Sequence, residues 1–140
     1  MGKEIRDVMT PSPKTMAATA SAMDAARSMR ENDIGDVIVL EDQRLLGILT
    51  DRDIVIRAVA QGRDPAKTSV GDICSRDIAV LSPTDSIAQA VGVMREKALR
   101  RLPVVEKDGR VIGIVSLGDL AVEQDRRSVL GEISAAPANQ

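Results

Sequence analysis

An internal repeat constrains the fold of this chain more than any other feature. Met29-Arg30-Glu31 recurs as Met94-Arg95-Glu96, an offset of 65 residues. Further along, Gly47-Ile48 recurs as Gly113-Ile114, an offset of 66. The inserted residue falls where Lys107-Asp108-Gly109 predicts a hairpin turn. Because an insertion within a turn leaves the flanking strands intact, the sequence predicts two copies of one folding unit.

Each copy has the same predicted order of elements. A short apolar stretch, at 14–16 and 78–81, precedes a helix whose apolar residues recur at helical spacing. Thr84 or Asp85 is placed to cap the second copy's helix. Two strands joined by a tight turn and a closing helix complete the unit. The strands are predicted at 37–40, 45–49, 102–105 and 111–115, and the closing helices begin at 51 and 117. The pattern predicts an α/β (α+β) fold built from tandem β-α-β-β-α repeats.

The repeat also sets the expected domain boundaries. The first repeat spans residues 1–62, a linker spans 63–69, the second repeat spans 70–127, and a C-terminal tail spans 128–140. Gly62, Asp64 and Pro65 mark the linker as a loop.

Composition argues against several functional classes. The 140 residues include no histidine and no aromatic residue, and the formal net charge is -2. The commonest general acid or base is missing, and so are the rings on which nucleic-acid bases stack. The single cysteine, Cys74, is expected to be a small buried apolar residue. We therefore expect no enzyme, no metal site and no nucleic-acid binding. No apolar run or signal core indicates a membrane or secreted protein, so we expect a cytoplasmic location.

A repeated motif is the strongest candidate for a binding site. Gly-Ile-Leu-Thr-Asp-Arg-Asp-Ile at 47–54 recurs as Gly-Ile-Val-Ser-Leu-Gly-Asp-Leu at 113–120. Each copy places a hydroxyl where a strand turns into a helix, and an aspartate three residues later. One interpretation is a helix N-cap with an acidic third residue. The other is a ligand site, in which free amides and the hydroxyl bind phosphate while the carboxylate accepts hydrogen bonds from a ribose diol.

The motif, together with the segment 100–105, closely resembles a cystathionine-β-synthase (CBS) domain pair, a module that binds adenosine-containing ligands. The resemblance covers about residues 3–125. It implies two repeats packed sheet to sheet about a pseudo-twofold axis, with two ligand clefts between them.

The resemblance also implies roles for individual residues. Asp53 and Asp119 would hold ribose hydroxyls, and Thr50 and Ser116 would contact phosphate or ribose. Arg101, with Arg100 beside it, would bind phosphate. Adenine would lie against aliphatic side chains near the strand starts Thr15 and Val80, with Val37 and Leu102 walling the pocket.

The two copies differ in charge. Opposite Arg100-Arg101 the first copy has Gly35-Asp36, and a carboxylate repels phosphate. We therefore expect the Asp119 cleft to bind its ligand more strongly than the Asp53 cleft.

These observations favour a stand-alone CBS pair, similar to bacterial stress-response proteins. It would bind AMP, ATP or another adenosyl compound, require no cofactor and regulate a protein partner. The alternative is a protein-interaction module with vestigial, empty clefts. We also expect a homodimer formed through helices. Met23, Val93, Val55 and Val59 lie off the predicted inward-facing stripes of their helices and would form the partner surface.

Overall fold

Two three-stranded sheets face each other in the computed structural model, which describes residues 3–123. The first contains β2 (Thr15–Ala17), β3 (Asp36–Glu41) and β4 (Arg44–Thr50), in that order. The second has the order β1 (Thr10–Pro11), β6 (Val111–Ser116) and β5 (Arg101–Val105). Pairing is antiparallel except between β2 and β3. The predicted mixture of helices and sheets is confirmed.

Helices cover the outer faces of the two sheets. They are α1 (Ile5–Val8), α2 (Ala22–Asn32), α3 (Asp51–Ile54), α4 (Val70–Ile73) and α5 (Ile87–Lys97). A π-helical turn, Val55–Val59, continues α3, a short 3-10 helix spans Pro65–Lys67, and residues 117–123 are helical. None of the helices within residues 3–123 is long and apolar enough to cross a membrane.

The caps explain where the two long helices begin. The Asp24 N–H donates to the Ser21 Oγ (3.0 Å), which starts α2. In α5 the cap is Ser86, whose Oγ accepts from the Gln89 N–H (3.1 Å). The Gln89 side chain in turn accepts from the Ser86 N–H (2.7 Å). The prediction of Thr84 or Asp85 is therefore wrong by one or two residues, because Ser86 alone has a glutamine at the third position to complete a capping box.

The predicted strand 78–81 is reduced to one bridge, between Leu81 and Val104. In the first repeat the Ile38 N–H donates to the Lys14 carbonyl (3.1 Å) and extends the pairing. The equivalent residue of the second repeat is Pro103, which has no N–H to donate. The strand is therefore shortened.

Apolar side chains form three layers. One core lies under α2, with Val37, Val39 and Leu49 from the first sheet. A second lies under α5, with Leu102, Val104 and Val115 from the second sheet. Between the sheets lie Ile38, Ile48 and Ile114. The inter-sheet layer confirms that the repeats pack sheet to sheet.

The N-terminal segment of each repeat crosses to the other repeat. Ile5 of α1 is buried in the second core, whereas Ile73 of α4 is buried in the first. Thr10 pairs with Ile114 of β6, and Ser75 pairs with Ile48 of β4. Each core is therefore completed by the N-terminal residues of the opposite repeat.

The linker 63–69 is ordered against the first repeat. Thr68 is buried, and its hydroxyl donates to the Asp64 carbonyl (2.8 Å). The Thr68 carbonyl accepts from the Ala22 N–H at the start of α2 (2.8 Å). The predicted tail, 128–140, and the predicted end of the closing helix, 124–127, lie outside the described residues.

Candidate functional site

Two clefts open between the sheets, on either side of the pseudo-twofold axis. The larger, about 430 Å³, is lined by residues that include Thr50, Ser75, Ile78, Leu99 and Ile48. The smaller, about 250 Å³, is lined by Thr10, Pro13, Ile34 and Ile114, which are the repeat equivalents of Ser75, Ile78, Leu99 and Ile48. The duplication therefore produces two related clefts, and the larger falls within the size range of small-molecule sites.

Asp36 and Arg101 lie on the axis and line both clefts. They occupy equivalent positions, 65 residues apart, at the starts of β3 and β5. The Arg101 Nε lies 2.9 Å from the Asp36 Oδ2. Contact between equivalent residues places this ion pair at the junction of the two repeats.

The carboxylate of this pair is the less solvated member. The side chain of Asp36 is 15% exposed, and that of Arg101 is 47% exposed. Burial raises the pKa of Asp36; Arg101 opposes this rise, and the nearby Asp51 carboxylate adds to it. Asp36 therefore depends on Arg101 for compensation of its charge.

The first motif forms a complete capping box. The Asp53 N–H donates to the Thr50 Oγ1 (3.1 Å), and the Thr50 N–H donates to the Asp53 Oδ2 (2.9 Å). The Asp51 N–H donates to the Gly35 carbonyl (3.0 Å), and the Arg52 N–H donates to the Asp51 Oδ1 (2.8 Å). The first amides of this helix are therefore already bonded, contrary to the expectation that they would be free for phosphate.

Asp53 is buried behind the larger cleft. The Ser75 Oγ lies 3.4 Å from both of its carboxylate oxygens and lines the cleft in front of it. The Arg57 Nε lies 3.9 Å from the Asp53 Oδ1. The Arg57 Nη1 also donates to the Ile73 and Cys74 carbonyls (3.1 and 3.2 Å), which ties α4 to the first repeat. A ligand that reached Asp53 would have to share its carboxylate with Ser75.

The second motif has the same caps in a more exposed setting. The Asp119 N–H donates to the Ser116 Oγ (3.0 Å), and the Ser116 N–H donates to the Asp119 Oδ2 (3.3 Å). Asp119 is exposed, and Glu123 stands where the first repeat has Arg57. Helix capping is thus confirmed for both motifs, and the second lacks the nearby arginine of the first.

The structure changes the predicted grouping of the arginines. Arg100 lines the larger cleft beside Thr50, whereas Arg101 lines both clefts. The expectation that these two residues distinguish the Asp119 cleft is wrong, because each repeat presents the start of its strand across the axis. The larger cleft therefore holds both arginines, together with Asp36 and Asp51.

Four predicted wall residues lie elsewhere. Val37 and Leu102 point into the helix-covered cores. Neighbouring residues of a strand face opposite sides, so Ile38 and not Val37 faces the other sheet. Thr15 is exposed, and Val80 lies in a separate open groove with Pro83 and Lys107.

Sequence reasoning missed the apolar residues that do line the larger cleft, Ile48, Ile78 and Leu99, and the hydroxyl of Ser75. Strand alternation could have identified Ile48, since Gly47 and Leu49 flank it. The segment crossing that brings in Ser75 and Ile78 has no local sequence signal.

Cys74 is buried, as expected, and burial raises the pKa of its thiol, although Arg76 acts in the opposite direction. Residues 3–123 contain no group of three or more histidine, cysteine, aspartate or glutamate residues that could hold a metal ion.

Paired β-α-β-β-α repeats with two axis-related clefts define a tandem module of the CBS type. The CBS domain model matches residues 5–59 and 70–125, and the chain belongs to this family, which confirms the resemblance. Among its relatives, the CBS domain-containing protein YhcV of Bacillus subtilis is 38% identical over 120 residues, covering 86% of this chain and 84% of YhcV. Hypoxic response protein 1 of Mycobacterium tuberculosis is 34% identical over 131 residues, covering 93% and 91% of the two chains.

The crystal structure of Hypoxic Response Protein I, which holds two coordinated zinc ions, superposes with a TM-score of 0.79 at 36% identity. The match covers 86% of this chain and 98% of that one. The fold is therefore shared along almost the whole described part of the chain.

Proposed function

We propose that this chain is a regulatory module that binds an adenine nucleotide or a related adenosyl ligand in its larger cleft. The observation that carries this proposal is the combination of two arginines with an apolar wall in one cleft of about 430 Å³. Arginine binds phosphate through paired hydrogen bonds, and aliphatic surface accommodates a purine ring.

The roles within the cleft follow from which groups are already bonded. Because the first amides of α3 are occupied, phosphate would bind to Arg100 and Arg101. The Thr50 hydroxyl accepts from Asp53 and retains its own proton to donate to phosphate or ribose. Ile48, Ile78 and Leu99 provide the aliphatic surface for adenine. Asp53, through or in place of Ser75, would accept the ribose hydroxyls.

Adenosyl ligands occur in the crystal structures of two proteins with a similar fold. CBSX2 was crystallised in complex with AMP, and the CBS domain pair of MJ0100 with 5'-methylthioadenosine and S-adenosyl-L-methionine. They are 24% and 23% identical to this chain, so their likeness extends to the fold alone. The choice of ligand for this chain rests on its own arginines.

We further propose that the module acts on a protein partner as a non-catalytic homodimer and requires no cofactor. Among residues 3–123, the three most exposed large apolar side chains are on helical segments. They are Val55, Val59 and Val122, each 57% exposed. They suit a surface that is covered in an assembly.

Calorimetric titration with AMP, ATP, adenosine and S-adenosylmethionine tests the ligand. Arg101→Ala should weaken AMP binding about 10- to 100-fold, since a hydrogen bond to a charged group contributes about 1.5–3 kcal/mol. Adenosine binding should hardly change. Arg30→Ala, an exposed arginine on α2, is the control and should match the wild type.

An equal loss of AMP and adenosine binding in Arg101→Ala would assign that residue a structural role. If none of the four compounds binds, the alternative of a protein-interaction module with empty clefts is favoured. The exposed apolar residues named above would then form its interaction surface.

A further inference from the structure

The two clefts share a single arginine. The Arg101 guanidinium is paired with Asp36 at the axis, and both side chains line both clefts. In a fully symmetric duplication each cleft would have its own copy of this residue. Here the copy in the first repeat is Asp36, so the pair has one cation and one anion for two sites.

A phosphate in the larger cleft competes with Asp36 for Arg101. Arg101 is about half exposed, so its guanidinium can turn toward a ligand, whereas Asp36 is largely buried and starts a strand. Once Arg101 is bound to phosphate, Asp36 faces the smaller cleft as a less compensated carboxylate. Of the described residues that line the smaller cleft, Lys14 is then the remaining cation.

We propose that Arg101 and Asp36 couple the two clefts negatively, so that a phosphorylated nucleoside bound in one cleft weakens the binding of a second in the other. This inference rests on the proposed nucleotide binding in the larger cleft. A second phosphorylated ligand would lack Arg101 and would meet the Asp36 carboxylate, which repels it. An uncharged nucleoside leaves the ion pair intact and is free of this restriction.

Stepwise binding constants of the full chain for AMP test the coupling. The measured quantity is the ratio of the first to the second binding constant. In the wild type this ratio should be about 5- to 150-fold larger for AMP than for adenosine, which is the usual range of coupling between sites. Asp36→Asn removes the repulsion but leaves Arg101 shared, so it should reduce the AMP ratio toward the adenosine ratio. Asp36→Arg, which gives each cleft its own arginine, should bring the two AMP constants closer still.

Asp42→Asn is the matched control. It removes an exposed carboxylate that lines neither cleft and leaves the axis pair in place, so the unequal AMP constants should persist. Circular dichroism verifies that each variant is folded. If Asp36→Arg does not fold, Asp36→Asn alone is enough to test the coupling.

Equal binding of two AMP molecules by the wild type would overturn the coupling and leave the proposed function standing. So would an AMP ratio unchanged in Asp36→Asn. Failure of AMP to bind at all would overturn both.

Discussion

Gly47 lies directly beneath the carbonyl oxygen of Ser75, so that a Cβ at position 47 would overlap this oxygen. The Cys74 Sγ would be only 3.0 Å from the same Cβ. Its repeat equivalent, Gly113, is crowded in the same way by Met9 and by the Thr10 carbonyl. The glycine of each motif is thus required by the segment that crosses from the other repeat.

Gly47→Ala should therefore lower the free energy of unfolding by about 1–3 kcal/mol, the usual effect of overpacking against backbone. Gly92→Ala is the matched control. Gly92 lies within α5, and among residues 3–123 no atom outside this helical segment comes within 4 Å of the place that an alanine methyl would take. Alanine there should stabilise the helix by about 0.5–1 kcal/mol. Urea denaturation followed by circular dichroism measures both. A Gly47→Ala variant as stable as the wild type would contradict the close approach.

Asp53→Ala should destabilise the protein more than Asp119→Ala. Removing the buried Asp53 carboxylate leaves the Thr50 N–H and the Ser75 hydroxyl without their acceptor, at a cost of about 1–3 kcal/mol. Asp119 is exposed, and water can replace it, so about 0.5 kcal/mol is expected. Thermal unfolding of the two variants side by side provides the comparison.

The same pair of variants should differ in AMP affinity. Asp53 lies behind the larger cleft, so Asp53→Ala should weaken AMP binding and Asp119→Ala should leave it nearly unchanged. This order is the reverse of the one expected from the sequence. Titration calorimetry showing the larger loss in Asp119→Ala would restore the original assignment.

The Asp36 carboxyl should make stability depend on pH. Burial raises its pKa in the folded state above the ordinary value of 3.8. The stability that the protonated Asp36 carboxyl contributes to the fold is therefore fully present below pH 3.8. It is lost as the pH rises through the folded-state pKa. As the pH rises from 3.8 through the folded-state pKa, the unfolding free energy of the wild type should fall relative to that of Asp36→Asn. Urea denaturation at a series of pH values measures it, and a constant difference would refute the expectation.

Val59→Asp should dissociate the proposed homodimer. Val59 is 57% exposed on the π-helical turn, beside Ile56, and a charged side chain buried at a self-complementary contact is unfavourable. Light scattering with refractive-index detection suits a chain without tryptophan or tyrosine. Gln61→Asp adds the same charge at an exposed position near the end of this helical segment and should leave the mass unchanged. A wild-type mass of 14.9 kDa would exclude the dimer.

Local sequence patterns predicted the strands well. The apolar run 37–40 lies within β3, and 111–115 lies within β6, because β-branched runs between turns have few other structures open to them. The caps of the motifs followed from the hydroxyl and carboxylate spacing. The first strand of the second repeat was overestimated because the missing N–H of Pro103 acts on a neighbouring strand.

The composition of the clefts was predicted less well. Thr50 and the two arginines line the larger cleft, but their association depends on how one sheet faces the other. The Asp36–Arg101 contact joins residues 65 positions apart, and no periodicity within either repeat indicates it. Val37 and Leu102 were predicted wrongly for a simpler reason, a choice of the wrong alternate position along each strand.

The crossing of α1 and α4 has a consequence for how such a chain is held together. Two separate copies of a single repeat would complete their cores only by exchanging N-terminal segments, which is the arrangement of a domain-swapped dimer. In this chain both partners of the exchange are joined by residues 63–69, so the swap is intramolecular. The exchange of N-terminal segments then depends on the effective concentration that the linker sets, and not on the concentration of protein in the cell.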